Sequence, residues 1–199
     1  MSRQYCTSCE RPLVTCICDL VRPIDNQIEI WFLQHPSEEK QTKGTARLAF
    51  LCLSRCQIIV GEDFSNNDTL NEVIADSNVN VCLLYPGDDA VVADKSSFDS
   101  ASRTIVLVLD GTWKKAFKMY QLSKNLHGLP KLTLSSSITS NYVIRKHHKS
   151  TDLSSLEACT HLLIALEGDS VKFQPLLDSF DLFNQFQQRL VKLHSKTKS

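Results

Sequence analysis

The chain has 199 residues and a mass of 22.4 kDa, with 42% hydrophobic and 22% charged residues. This is long enough for one domain with a real core and no disulfide staples, and 6 Gly and 6 Pro leave no room for a collagenous or low-complexity chain. No run approaches the roughly 18 apolar residues of a membrane-spanning helix, so no membrane partner is expected. The net charge is zero, which argues against a general polyanion binder, but the charges are segregated. Residues 62–100 hold nine acidic groups and one basic one, Lys95, whereas residues 111–150 hold eight Lys/Arg, three His and no acid. A local excess of about +8 is a plausible footprint for a polyanion, with a solvated basic face as the alternative.

Four of the eight cysteines fall in the first eighteen residues as Cys6-x2-Cys9-x6-Cys16-x-Cys18. Two close pairs across a short loop suit four thiolates around one tetrahedral Zn2+; free thiols or a redox pair are the alternative. Met1-Ser2-Arg3-Gln4-Tyr5-Cys6 lacks the apolar run of a secretory signal. The expectation is therefore a cytoplasmic protein whose remaining cysteines, Cys52, Cys56, Cys82 and Cys159, are small core residues.

In chain order, a zinc knuckle over 1–22 precedes an α/β domain over 23–199. Gln27 to Gln34 reads as a buried strand, Thr45 to Arg55 as a helix, Gln57 to Val60 as a strand and Thr69 to Asp76 as a helix. Val79 to Tyr85 is a strand stopped by Pro86-Gly87, and Thr104 to Leu109 is apolar on both faces, as a central parallel strand should be. A helix over Thr112 to Leu122, a strand over Lys131 to Leu134 and helices over Leu156 to Leu166 and Pro175 to Leu193 follow. The alternation predicts a mostly parallel sheet with helices on both faces.

Such sheets bind ligands beyond the carboxyl ends of their strands. Two ends stand out: Leu84-Tyr85-Pro86-Gly87, and Leu109-Asp110-Gly111-Thr112-Trp113-Lys114-Lys115, where a buried strand breaks into a helix. Asp110 would sit at the mouth of the sheet with Trp113 as a stacking surface; alternatively Asp110 caps the helix and Trp113 joins the core. Gly-rich dinucleotide and phosphate loops, the G-x-S-x-G elbow and H-E-x-x-H are absent from the sequence. His147-His148 lies in the basic stretch and faces RNA on this reading rather than a metal. Ser154-Ser155-Leu156-Glu157 fits a capping box, and the same helix N-terminus is a natural seat for a carboxylate.

Taken together, the ordered blocks resemble the DTW-domain family, and within it the bacterial tRNA-uridine aminocarboxypropyltransferases. The blocks are the four cysteines, His35-Pro36-Ser37-Glu38, Thr45-Ala46-Arg47-Leu48-Ala49, Leu84-Tyr85-Pro86, Asp110 to Ala116, Tyr142 to Lys146 and Leu153 to Ala158. Gln41 and Lys43-Gly44-Thr45-Ala46 depart from the family's loop, and Gly111 gives the D-G-T-W form of its name motif.

The resemblance implies a fold related to the knotted SPOUT-type α/β proteins, S-adenosylmethionine (SAM) as group donor and a tRNA uridine as acceptor. The product would be 3-(3-amino-3-carboxypropyl)uridine, acp3U, at position 47 in bacterial members, with release of methylthioadenosine. Asp110 is then the candidate base for the uracil N3 proton. Leu84, Tyr85, Pro86, Leu109, Gly111, Thr112, Trp113, Ser154, Ser155 and Glu157 are candidates for the SAM site, and Arg47, Lys114, Lys115, Arg145, Lys146 and Lys149 for tRNA phosphates. Two rival readings are a SPOUT-like SAM-dependent RNA methyltransferase and a non-catalytic zinc-ribbon RNA-binding protein. The sequence does not fix the oligomeric state, and a monomer is one state open to the chain.

Overall fold

The computed structural model describes residues 4–98, 102–135 and 153–196. Six parallel strands form one sheet: β1 (Glu29–Gln34), β2 (Cys56–Val60), β3 (Val79–Leu84), β4 (Val91–Val92), β5 (Arg103–Asp110) and β6 (Lys131–Thr133). Their order across the sheet is β2-β1-β5-β3-β6-β4. The five described helices are α1 (Ala46–Cys52), α2 (Asp68–Ala75), α3 (Trp113–Leu122), α4 (Ser155–Glu167) and α5 (Ser170–Lys196). The expected α/β class, with a mostly parallel sheet between helices, is what the chain adopts.

Side chains of a strand alternate between faces, and the core divides accordingly. Ile30, Phe32, Val106 and Val108 pack with Leu48 of α1, Leu156, Leu162 and Leu163 of α4, and Phe173, Leu176, Phe180 and Phe183 of α5. Trp31, Leu33, Ile105 and Leu107 pack on the other face with Leu70 of α2 and Met119 of α3. β5 lies between β1 and β3, which explains why its sequence is apolar on both faces.

Three boundaries differ from the sequence reading. The first helix stops at Cys52 because Leu53 adopts an extended backbone and bridges Ile24, while the Asn26 side chain accepts from the Arg55 N–H. β4 is two exposed valines at the sheet edge, too short for a pattern to reveal. α5 begins at Ser170 rather than at Pro175. The proline deprives the Val171 carbonyl of its helical partner; Val171 is 82% exposed, so water can take that place.

The cysteine-rich segment is not loosely appended. Cys9 and Ile17 are buried in the same core as Phe32 and Phe183, and the turn Cys18–Leu20 packs on α5.

Candidate active site

The carboxyl ends of β3, β5 and β6 open into a cavity of about 350 Å3, within the range of small-molecule sites. Leu84, Tyr85 and Pro86 line it from β3, Val108, Leu109 and Gly111 from β5, and Leu132 to Ser135 from β6. Trp113 and Ala116 of α3 and Leu153, Ser154, Ser155 and Ala158 around the start of α4 complete the wall. Two helices thus begin at one apolar cavity, so their positive dipole ends lie beside it. The Tyr85 ring stacks on Tyr120 of α3 with centroids 4.5 Å apart, which fixes that edge.

Local sequence chemistry starts both helices. Thr112 is extended and its side chain accepts from the Lys115 N–H, so Thr112, not Asp110, caps α3. At α4 the capping box is complete: the Ser154 Oγ accepts from the Glu157 N–H at 3.2 Å, and the Ser154 N–H donates to Glu157 Oε2 at 2.8 Å. Glu157 is therefore a buried structural group behind the cavity wall rather than part of its surface.

Asp110 is 6% exposed and lies just beneath the cavity. The parallel register of β1 and β5 sets Gln34 beside it, and Gln34 Nε2 donates to Asp110 Oδ2 at 2.7 Å. Ser155, which lines the cavity, donates its hydroxyl to Asp110 Oδ1. A buried carboxylate is thus tied to one residue of the cavity wall. Trp113 is 58% exposed and stands at the mouth, so it is not a core residue.

The described basic candidates differ from one another. Lys114 is exposed and makes no ion pair among the described residues. Lys115 donates to Ser37 Oγ and Glu38 Oε1, both at 2.6 Å, tying α3 to the turn after β1. Arg47 pairs with Glu10 at 3.1 Å, bonds the Ser8 carbonyl and lies over the Phe50 ring. Arg145, Lys146, Lys149 and the His147-His148 pair lie outside the described residues.

The sulfur atoms of Cys6, Cys9, Cys16 and Cys18 all lie within 4.8 Å of one another. Glu10 takes a left-handed backbone, φ 58°, and closes the Cys6–Cys9 turn through its N–H to the Cys6 carbonyl. Backbone N–H groups of Cys9 and Ser8 hold the Cys6 thiol down to about 6, while its contact with Cys6, then Cys16, pushes Cys18 up to about 12. Were all four ionised, thiolates this close would need a cation among them. The buried Arg11 guanidinium feels Cys9 and Cys16, donates to the Thr42 carbonyl and lies 5.4 Å from the Phe183 ring centre. The cluster can hold a metal ion, with Arg11 placed to offset the charge of its thiolates.

The model of the DTW domain matches residues 3–188. The chain belongs to the DTW domain family. It is 30% identical over 191 residues to mouse tRNA-uridine aminocarboxypropyltransferase 2, an alignment covering 93% of this chain and 64% of the mouse protein. Against the Macaca fascicularis protein of the same name the identity is 30%, with 96% and 68% covered, and against that of Drosophila melanogaster 35%, with 83% and 68% covered. The chain thus spans about two thirds of the length of these animal relatives. No solved structure matches it.

In this DTW domain, the blocks 84–86, 110–116 and 153–158, far apart in sequence, meet at one cavity. Sequence reasoning missed Gln34, the fixed partner of Asp110, although a polar residue closing the run Ile30-Trp31-Phe32-Leu33 was a visible signal. It also missed Thr45, whose Oγ1 accepts from the Leu156 N–H and so ties the 45–49 block to the start of α4. Leu132 to Ser135 gave no signal, because their place in the wall comes from the pairing of β6 with β3.

Proposed function

We propose that this DTW-domain protein transfers the 3-amino-3-carboxypropyl group of SAM to N3 of a tRNA uridine. The observation that carries the reading is the hydrogen bond from Ser155, a residue of the cavity wall, to the buried Asp110 carboxylate, at a cavity built from the family's ordered blocks. The names of the animal relatives state the same transferase activity. Leu84, Leu109, Leu132 and Ala158 offer apolar walls for an adenosine, and the Ser155 N–H at the start of α4 suits a carboxylate.

In the reaction, the N3–Cγ bond forms as the Cγ–S bond breaks; its electron pair goes to the sulfonium sulfur and methylthioadenosine leaves. The N3 proton passes to the Ser155 hydroxyl, which gives its own to Asp110, so Asp110 acts as base through Ser155. Gln34 holds the far carboxylate oxygen and fixes its orientation. Trp113 and the apolar wall present Cγ rather than the methyl group to the uracil, and this orientation supplies much of the rate.

Thr112 shapes the turn at the cavity and Glu157 holds the start of α4; both support the donor site without lining it. The tRNA backbone follows Lys114 and the basic segment with Arg145, Lys146 and Lys149. Arg47 and Lys115 join it by exchanging their carboxylate partners for phosphate, which the 73% exposure of Glu10 makes inexpensive for Arg47. The metal of the four-cysteine knuckle over 1–22 is Zn2+, in a structural role, since four protein ligands leave no open position. The knuckle braces the α/β body over 23–199. Eight unpaired thiols suit the reducing cytoplasm, and among the described residues no helix is long and apolar enough to cross a membrane.

Incubation with tRNA and SAM labelled in the aminocarboxypropyl carbons tests the reading. Label in tRNA with equimolar methylthioadenosine is expected. S-adenosylhomocysteine would indicate a methyltransferase, and absence of SAM binding by calorimetry a non-catalytic RNA-binding protein.

A further inference from the structure

Among the described residues three large aromatic side chains are more than half exposed: Tyr5 in the cysteine-rich segment and, together on one helix, Trp113 and Phe117. Trp31, Phe32, Phe64, Phe173, Phe180 and Phe183 are at most 1% exposed, but Trp113 and Phe117 of α3 are 58% and 57% exposed. They stand four residues apart and so share one face of the helix, with Cβ atoms roughly 5–6 Å apart. Packing does not require that face: α3 buries Ala116 and Met119 instead. Trp113 lines the cavity, so Phe117 sits one turn beyond its mouth.

α3 itself contributes charge of one sign around the two rings, and the carboxylates that approach it, Glu38 and Glu62, come from other segments and are paired with Lys115 and Lys118. Exposed Lys114 and Lys118 each follow an aromatic residue, and residues 111–135 contain no Asp or Glu. Lys118 keeps 60% of its side chain exposed despite its pair with Glu62, and Lys114 has no ion pair among the described residues. Two isolated rings are far less than the roughly 800 Å2 per partner that a stable protein interface buries. Flat π faces interleaved with cations match single-stranded nucleic acid, whose bases stack on aromatic rings while its phosphates meet lysines.

We propose that the Trp113–Phe117 face of α3 is a stacking platform for unpaired bases of the RNA substrate next to the acceptor uridine. The inference rests on the RNA-directed reading of the cavity. Stacking also explains how a uridine is held out of a folded RNA. Its neighbours, once unstacked, find replacement partners on the protein at the entrance through which the uracil passes.

The test uses the full chain with Phe117→Ala, Phe117→Leu and Phe117→Tyr, and a short oligouridylate and unfractionated tRNA as probes. The chain has two tryptophans, and Trp31 is buried, so quenching of exposed indole fluorescence reports on Trp113. Oligouridylate is expected to quench it. Phe117→Ala and Phe117→Leu should weaken binding of both RNAs about tenfold, as loss of one stacked base implies, and Phe117→Tyr should bind like the wild type. SAM affinity and thermal midpoint should stay constant.

Equal binding by the leucine variant, or by the alanine variant, would overturn the platform. So would a drop in thermal midpoint in the alanine variant, or a wild-type dimer that the substitution dissolves, since the ring would then serve packing or self-association. Transferase failure remains distinguishable: ring-dependent RNA binding without methylthioadenosine release leaves the platform and removes the reaction. Release with ring-indifferent binding does the reverse.

Discussion

Asp110→Asn separates a proton-handling role from a structural one, because the geometry sets both costs. The carboxylate accepts from Gln34 Nε2 and the Ser155 hydroxyl and is 6% exposed. An Asn amide can accept from Gln34 only if its NH2 faces Ser155, whose hydroxyl must then turn to accept. Both bonds survive as neutral ones. Hydrogen bonds to charged groups are worth about 1.5–3 kcal/mol and neutral ones about 0.5–1.5, so the variant should lose about 2 kcal/mol in all. For a chain of this size that lowers the thermal midpoint by about 4–8 °C, and SAM binding should persist. Loss of base catalysis is worth about 10^2–10^4 in rate. Single-turnover transfer from labelled SAM to tRNA, measured well below the unfolding transition, should fall by that factor. Ser155→Ala should fall comparably, with SAM affinity retained, because it cuts the path from the cavity to the carboxylate. An Asp110→Asn protein that unfolds earlier but transfers at nearly the wild-type rate would refute the proton path and leave Asp110 a strand-end anchor.

Three further outcomes are expected. Elemental analysis should find about one zinc per chain, and Cys9→Ser, which opens the cluster beside buried Ile17 and Phe183, should abolish stoichiometric zinc and lower the thermal midpoint. Ser154→Ala removes one half of the capping box and should cost about 1 kcal/mol in denaturant unfolding. The Glu29 carboxyl is held below its usual range first by hydrogen bonds from Arg103, its burial partly opposing this. Its folded value is depressed, so this contribution is present above the ordinary carboxylate range and lost as pH falls through the folded value. Glu29→Gln should be less stable than wild type at pH 7 by about 0.5 kcal/mol, Arg103 being half exposed, and the difference should vanish in acid.

What could be read in the sequence depended on how local each signal was. β5 announced itself because a strand between two neighbours and under two helix layers must be apolar on both faces. The start of α4 was equally legible, since a capping box is a four-residue device whose geometry follows from its composition. Pro175 misplaced the start of α5, because a proline early in a helix is tolerated where the carbonyl it leaves without a partner, here that of Val171, is exposed. The Gln34–Asp110 pair joins residues 76 apart, and no local pattern states which strand lies beside β5. The same limit applies to the basic residues. Lysine and arginine counts gave the sign of the 111–150 segment, but that Lys115 meets Glu38 and Arg47 meets Glu10 required the fold.

The strand order gives that hidden pair its consequence. The chain makes β1 and β2, then β3, and only afterwards inserts β5 between β1 and β3. A crevice forms at such a reversal because the connections leaving neighbouring strands diverge. Here the end of β1 supplies Gln34, the end of β5 supplies Asp110 and Gly111, and the end of β3 supplies Leu84 to Pro86. α4, from 45 residues beyond Asp110, closes the crevice with Ser155. No one of these segments can hold the carboxylate in place alone. Gln34 fixes one oxygen from the sheet and Ser155 the other from a capped helix, so its orientation depends on the packing of α4 against α1 and β5. Thr45, the residue before α1, completes that dependence by accepting from the Leu156 N–H. The 45–49 block, which does not line the cavity itself, therefore helps to set where α4 begins and with it the position of Ser155.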